Sequence, residues 1–241
     1  MTLAPLGDSA VVITVGPSVN ETTSLRVRSL VAALENKRTA GVIDVVPAYT
    51  TVTVFYDMAA AGMQSESPYD RVARVVTECV KQVEQGWPDV VRETLERVQS
   101  GVAERTVEIP VCYGGELGPD LPEVARHASL DTEEVIRLHV STVYEVQAVG
   151  FAPGFPYLSG LNPRLHTPRK STPRVQVAAG SVGIGGSQTG IYPLKSPGGW
   201  QLIGRTPRRL FDVQKTPPAL LRVGDRIAFR RITEQEFAAC R

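Results

Sequence analysis

At 241 residues with a formal net charge of +1, the chain is long enough for two compact domains and lacks the basic excess of a nucleic-acid or membrane-surface binder. A hydrophobic share of 42% and a charged share of 21% exclude a disordered chain and leave small molecules or other proteins as partners. Cys79, Cys112 and Cys240 are odd in number and widely spaced, and apolar runs such as residues 10–15 fall far short of the ~20 residues of a membrane helix, so a soluble cytoplasmic protein without a disulfide framework is expected.

The β-branched run from Ala10 to Val15 ends at Gly16-Pro17 and reads as a buried strand. Residues 21–38 place Leu25, Leu30, Val31 and Leu34 near helical spacing, with Gly41 as the stop. Residues 42–46 and 50–56 read as two strands around a Pro47-Ala48-Tyr49 turn, and a second helix over 69–85 has Val72, Val75, Val76, Cys79, Val80 and Val83 on its inner face. Strand, helix, two strands, helix is the order of a split βαβ unit, which predicts a ferredoxin-like α+β domain over 1–95. The charged, Pro88-bearing stretch 86–104 holds the junction to a second domain over 96–241. There Asp131 and Glu134 sign the start of a helix carrying Val135, Ile136, Leu138, Val140 and Val143. Beyond Phe151 the closely spaced prolines leave only short runs, as a β-barrel with few helices requires.

Three stretches could carry chemistry. In residues 180–190 the glycines, Gly186 among them, allow close backbone approach to a ligand, although the spacing satisfies neither the dinucleotide fingerprint nor the P-loop, and twisted strands or tight barrel corners need glycine too. In residues 150–158 Phe155 and Tyr157 sit in a stiff loop able to wall a pocket, whereas Phe151 and Leu158 read better as a hydrophobic plug. In residues 196–206 a sharp turn leads to a strand presenting Arg205. Arg174, Lys195 and Arg205 beside glycine and proline turns suit a carboxylate or phosphate, and Arg174, Gln188 and Arg205 are expected at one mouth of the barrel. His127, His139 and His166 have no metal-ligand spacing, so no metal is expected. His139 fits a satisfied core histidine and His166, on a loop, is the better acid/base candidate. No nucleophile elbow occurs, and the catalytic residues are not legible.

Taken together, GFAPGFPYLSGL at 150–161, TPR at 172–174, GSVGIGGSQTGIYPLKSPGGWQLIGRTP at 180–207 and LFD at 210–212 closely resemble the B-subunit family of 5-oxoprolinase. That family is also called allophanate hydrolase subunit 1 and includes the sporulation kinase A inhibitor. The resemblance extends through Val45-Val46-Pro47, Ile109-Pro110-Val111, Tyr113-Gly114-Gly115 and Gly118-Pro119-Asp120-Leu121. It implies an α+β N-terminal domain joined to a cyclophilin-like barrel. It also implies a B subunit that, with the C and A subunits, opens 5-oxoproline to glutamate with ATP used by the assembled complex. An allophanate hydrolase or urea-carboxylase-linked amidase component, and a non-enzymatic histidine-kinase inhibitor, are the alternatives it leaves open. The substrate pocket is then expected around Phe155, Tyr157, His166, Arg174, Gly186, Gln188, Lys195 and Arg205, in a chain that is inactive alone.

Overall fold

The structure, a computed structural model, describes residues 1–61, 66–99 and 105–240. The chain divides into two compact units, Met1–Ala103 and Glu104–Arg241. Part of the stretch expected to hold the junction, residues 100–104, lies outside the described residues.

In the first unit β1 (Thr2–Pro5), β2 (Ala10–Thr14), β3 (Val42–Ala48) and β4 (Thr51–Tyr56) pair antiparallel in the order β1-β2-β4-β3. The helices are α1 (Glu21–Lys37), α2 (Met58–Ala61), α3 (Pro68–Gln85) and α4 (Trp87–Gln99). Val27, Leu30 and Leu34 of α1 and Val72, Val76, Cys79, Val80 and Val83 of α3 bury against Val11, Ile13, Val52, Val54 and Tyr56 of the sheet. Each such side chain contributes about 1.5–3 kcal/mol when fully buried. Two local details differ from what the sequence suggests. Pro47 and Ala48 belong to β3, opposite Val52 and Thr51, and the turn falls at Tyr49-Thr50 with Tyr49 at φ 56°. Alternate residues of an antiparallel ladder turn their N–H away from the partner strand, so a proline does not end the pairing. Residues 87–99, which look like linker in the sequence, form α4, because Pro88 falls in the first turn where no amide donor is needed.

The second unit contains β5 (Thr106–Tyr113), α5 (Leu121–Ala128), α6 (Thr132–Val140), β6 (Val143–Val149), β7 (Pro156–Ser159), β8 (Arg174–Val177), β9 (Ser181–Gly185), β10 (Gln188–Ile191), β11 (Ser196–Gly198), β12 (Gln201–Arg205), β13 (Arg226–Arg231) and α7 (Glu234–Ala239). Seven strands run in the order β6-β13-β5-β12-β9-β10-β7, and β7 pairs back onto β6, so the sheet closes into a barrel. Its parallel pair is β5 with β13. Strands β8 and β11 form a separate two-stranded ribbon. Ile109, Val111, Tyr144, Val146, Val182, Ile184, Ile203, Ile227 and Phe229 fill the barrel, and Leu121, Val124, Val135 and Ile136 from α5 and α6 join the same core. Asp131 caps α6 by accepting from the Glu134 amide at 2.7 Å, as the sequence signature implies.

His139 is buried inside this core. Its Nδ1 lies 2.8 Å from the Tyr113 hydroxyl and its Nε2 3.1 Å from Thr189 Oγ1, which itself donates to the Gly183 carbonyl at 2.9 Å. Because the threonine proton is committed, Nε2 carries the imidazole hydrogen and Nδ1 accepts from Tyr113. Burial pushes the His139 pKa down to about 3. The unfolded chain, with an ordinary histidine value of 6.5, therefore binds a proton that the folded chain does not. The contribution of His139 to stability is complete above pH 6.5 and slopes downward as acid is added below it. Urea titrations between pH 7 and 5 should show this slope in the wild type and its loss in His139→Gln. An equal slope in both would place the acid sensitivity elsewhere.

Candidate functional site: an aromatic cleft on the barrel

The glycines of β9 and β10 are placed by the side chain they support. A Cβ added at Gly185 would stand 2.6 Å from the Trp200 ring, one at Gly190 3.0 Å from it, and one at Gly183 3.1 Å from the Trp200 Cβ. A Cβ at Gly198 would stand 2.4 Å from the Tyr192 hydroxyl. These positions thus let two large aromatic side chains lie directly on the backbone. Phe155 sits at the centre of the resulting cluster. Its ring centroid is 4.9 Å from Tyr157, 5.2 Å from Tyr192 and 5.5 Å from Trp200, the last two edge to face. Edge-on aromatic contacts each add about 0.5–1.5 kcal/mol beyond their buried area. Phe151, at φ 67°, adds a fourth ring 5.6 Å from Phe155 and is 65% exposed. It is a rim residue and not the plug its sequence suggests, because the turn closed by the Gly150 amide on the Phe155 carbonyl holds it outward. Leu158 is fully buried in the barrel core.

These five aromatics wall a cleft of about 290 Å³. Pro173, Pro197, Gly198 and Gly199 complete its apolar surface, and Arg169 and Lys170 provide its charged groups. The loop carrying these cations is pinned: the Lys170 amide donates to the Gly199 carbonyl at 2.7 Å, and Gln201 Nε2 to the Pro168 carbonyl at 3.0 Å. The Arg169 guanidinium lies 5.6 Å from the Trp200 ring centroid.

Behind the cleft, Asp120 is buried at the start of α5. Its Oδ1 accepts from Lys170 Nζ at 3.0 Å and from Arg174 Nη2 at 2.8 Å, and its Oδ2 from the Leu202 amide at 2.7 Å. Burial by itself would raise the Asp120 pKa, but the hydrogen bonds from Arg174, Leu202 and Lys170 together outweigh it and hold the carboxyl below its ordinary value. One residue therefore ties together α5, β12 and the loop that brings both cations to the cleft.

The residues expected around a pocket divide accordingly. Phe155 and Tyr157 line the cleft. Arg174 stands behind it, bound to Asp120 through Nη2, with Nη1 buried and without a hydrogen-bond partner among the described residues. Gly186 begins the hairpin turn between β9 and β10 at φ 67°, where a tight turn needs glycine, and its N–H and C=O pair with Thr167. His166 places Nε2 3.3 Å from the Leu161 carbonyl oxygen. Lys195 is exposed ahead of β11. Arg205 donates through Nε to the Ala179 carbonyl at 2.7 Å, which braces the turn before β9. Residues 166, 186, 188, 195 and 205 are not among those lining the cleft. Arg174, Gln188 and Arg205 do not share one mouth of the barrel. Arg205 is opposite Ser181 and Gln188 opposite Gly185, so the two lie at opposite ends of β9, separated by roughly 13 Å along the strand direction alone. Asp120, Arg169, Lys170, Tyr192 and Trp200 are site residues that sequence reasoning misses. The available signal is Arg169-Lys170 confined between Pro168 and Pro173, and an indole directly after Gly198-Gly199.

Among the described residues, no group of three or more His, Cys, Asp or Glu side chains could hold a metal ion, and no helix is long and apolar enough to cross a membrane.

The family model described as "Carboxyltransferase domain, subdomain C and D" matches residues 1–221. The B subunit of 5-oxoprolinase from Bacillus subtilis is 46% identical over 97% of this chain and 94% of its own length. The chain belongs to the B-subunit family of 5-oxoprolinase. The B subunit from Haemophilus influenzae is 39% identical over 95% of this chain and 97% of its own. Among solved structures, TTHA0988 matches at 36% identity with a TM-score of 0.74 over 92% of this chain, which spans 40% of that longer one. The urea amidolyase of K. lactis shares the fold at a TM-score of 0.73 and 19% identity, over 98% of this chain and 15% of its own.

Proposed function

We propose that this chain is the B subunit of an ATP-dependent 5-oxoprolinase, which works with the C and A subunits in the cytoplasm to open 5-oxoproline to glutamate. The aromatic cleft of its barrel would receive the substrate. The observation that carries the reading is 46% identity to a 5-oxoprolinase B subunit across nearly the whole of both chains. The amidase alternative draws on a putative urea carboxylase that is 30% identical over 58% of this chain and only 12% of its own length. In fold terms, we assign the first unit to the ferredoxin-like class, with β1 beside β2 where a fourth, C-terminal strand would stand, and the closed barrel to the cyclophilin-like class.

The chemistry of the cleft supports a binding role. Its walls supply apolar rings for a small cyclic amide and cations for a carboxylate, while its lining includes no carboxylate, thiol or imidazole to act as nucleophile or base. A partner must contribute those groups, so the chain alone is expected to be inactive. Opening an unstrained lactam is poorly driven, and ATP would supply the drive by activating the amide oxygen. The nucleotide does not fit here: the glycines of residues 183–190 that resemble a phosphate cradle are covered by Trp200 or spent on a hairpin turn. ATP use therefore belongs to another member of the complex. What this chain contributes is an aromatic, positively charged seat that orients the substrate.

The test is reconstitution. The purified chain, A and C subunits, ATP and 5-oxoproline should together release glutamate, and omission of this chain or of the partners should abolish the release. Steady turnover by the single chain, or an unchanged rate without it, would contradict the reading.

A further inference from the structure

The charge of the cleft is one-sided, and the arrangement behind it explains why that charge is not cancelled. Two cations line the cleft, Arg169 and Lys170, and no acidic residue does. Arg169 forms no ion pair among the described residues and stacks on the Trp200 ring. Lys170 does have a carboxylate partner, but Asp120 is shared: Arg174 binds the same Oδ1 at 2.8 Å while Lys170 binds it at 3.0 Å. Lys170 and Arg174 thus share one carboxylate while Arg169 has none among the described residues, leaving a surplus of positive charge beside the aromatic rings. Asp120 also fixes the Lys170 ammonium in place, so less side-chain freedom is lost when an anion arrives.

We infer that Arg169 and Lys170 form a carboxylate subsite selecting a small, flat ring acid with a single negative charge, that Trp200 and Phe155 hold the ring, and that Asp120 and Arg174 are positioning residues. This rests on the cleft being the substrate site. The scaffold favours a carboxylate over a phosphoryl group. Apart from these two cations the lining consists of rings, prolines and glycines, and the Lys170 amide, which a phosphate would need as a donor, is already bonded to Gly199. It also reassigns the carboxylate contact from Arg174 and Arg205, whose described bonds go to Asp120 and to the Ala179 carbonyl.

The experiment uses the full-length chain as Trp87→Phe, which leaves Trp200 as its one tryptophan. Its emission is titrated with 5-oxoproline, with 2-pyrrolidinone as the same ring lacking the carboxylate, and with inorganic phosphate. The expected result is saturable quenching by 5-oxoproline. Lys170→Met should raise its Kd about ten- to a hundredfold and Arg169→Met by several fold, with the exposed Lys215→Met unchanged. 2-Pyrrolidinone should bind weakly and equally to all. Melting curves of each variant separate lost binding from lost folding, and a Lys170→Arg variant should recover part of the affinity. The subsite is overturned if 5-oxoproline leaves the emission unchanged, if Lys170→Met and Arg169→Met bind as the wild type does, or if 2-pyrrolidinone binds as tightly as the acid. Displacement of 5-oxoproline by lower concentrations of phosphate would overturn the carboxylate assignment. Failure of the subsite is separable from failure of the functional reading. A complex that opens 5-oxoproline with an unchanged KM in Lys170→Met refutes only the subsite, and Lys170-dependent binding in a complex that opens no lactam refutes only the function.

Discussion

Asp120→Ala is expected to lower the unfolding free energy by about 3 kcal/mol and to disorder the charged side of the cleft. Only 7% of the Asp120 side chain is accessible, and removing its carboxylate leaves Lys170, Arg174 and the Leu202 amide without their acceptor at once. Breaking a buried pair by deleting one partner costs about 3–5 kcal/mol, and the lower end applies because Lys170 and Arg174 remain 32% and 27% accessible. Asp120→Asn keeps an oxygen for Leu202 but no charge, so a loss of roughly half that size follows. The pH dependence separates charge from shape. The folded Asp120 titrates below its ordinary value of 3.8, so its contribution is complete above that pH and is lost as pH falls through the folded value. The stability gap between wild type and Asp120→Asn, measured by urea unfolding, should be full at pH 6 and should shrink below pH 3.8. A gap that stays constant down to pH 2.5 would mean that the ionised form contributes nothing.

Gly185→Val is expected to remove the cleft. The first added carbon would stand 2.6 Å from the indole of Trp200, which is itself backed by Gly183 and Gly190 and edged by Phe155. Overpacking of this kind costs about 1–3 kcal/mol, and the ring is expected to be expelled rather than shifted. Near-ultraviolet circular dichroism should lose its tryptophan signal, and reconstituted turnover should fall to the level seen without the chain. Gly186→Ala is the control. There the cost is the left-handed φ of 67°, about 1 kcal/mol, with open space around the new carbon, so the indole signal and activity should persist. If the two variants behave alike, the glycines serve the strands and not Trp200.

Elements with a strong local signature are legible in the sequence. Asp131 and Glu134 mark α6, and the spacing of Val72, Val76, Cys79 and Val83 marks α3, because capping and periodicity are decided within one or two turns. α5 and α7, of eight and six residues, are too short for periodicity to register, and their stability comes from packing on the barrel. The site is legible only in part. Phe155 and Tyr157 can be found because their stretch is aromatic on its face, although Tyr157 stands on β7 rather than in a loop. The glycines mean the opposite of what their pattern suggests, since what approaches Gly183 and Gly185 is Trp200, from the turn between β11 and β12, and Gly190 meets the Pro156 carbonyl as well as the indole. Arg174 and Arg205 stand out as cations beside turns, but whether a guanidinium faces a cleft, a carboxylate or a carbonyl depends on Asp120, 54 residues before Arg174, and on Ala179 across a turn. Such long-range pairings leave no trace in local spacing.

The most direct measurement is a crystal structure of the assembled complex with 5-oxoproline bound. The ring should lie in the cleft against its aromatic wall, with the carboxylate at roughly 3 Å from Lys170 Nζ and facing Arg169. Substrate held elsewhere in the complex, with the aromatic cleft unvisited, would contradict the account.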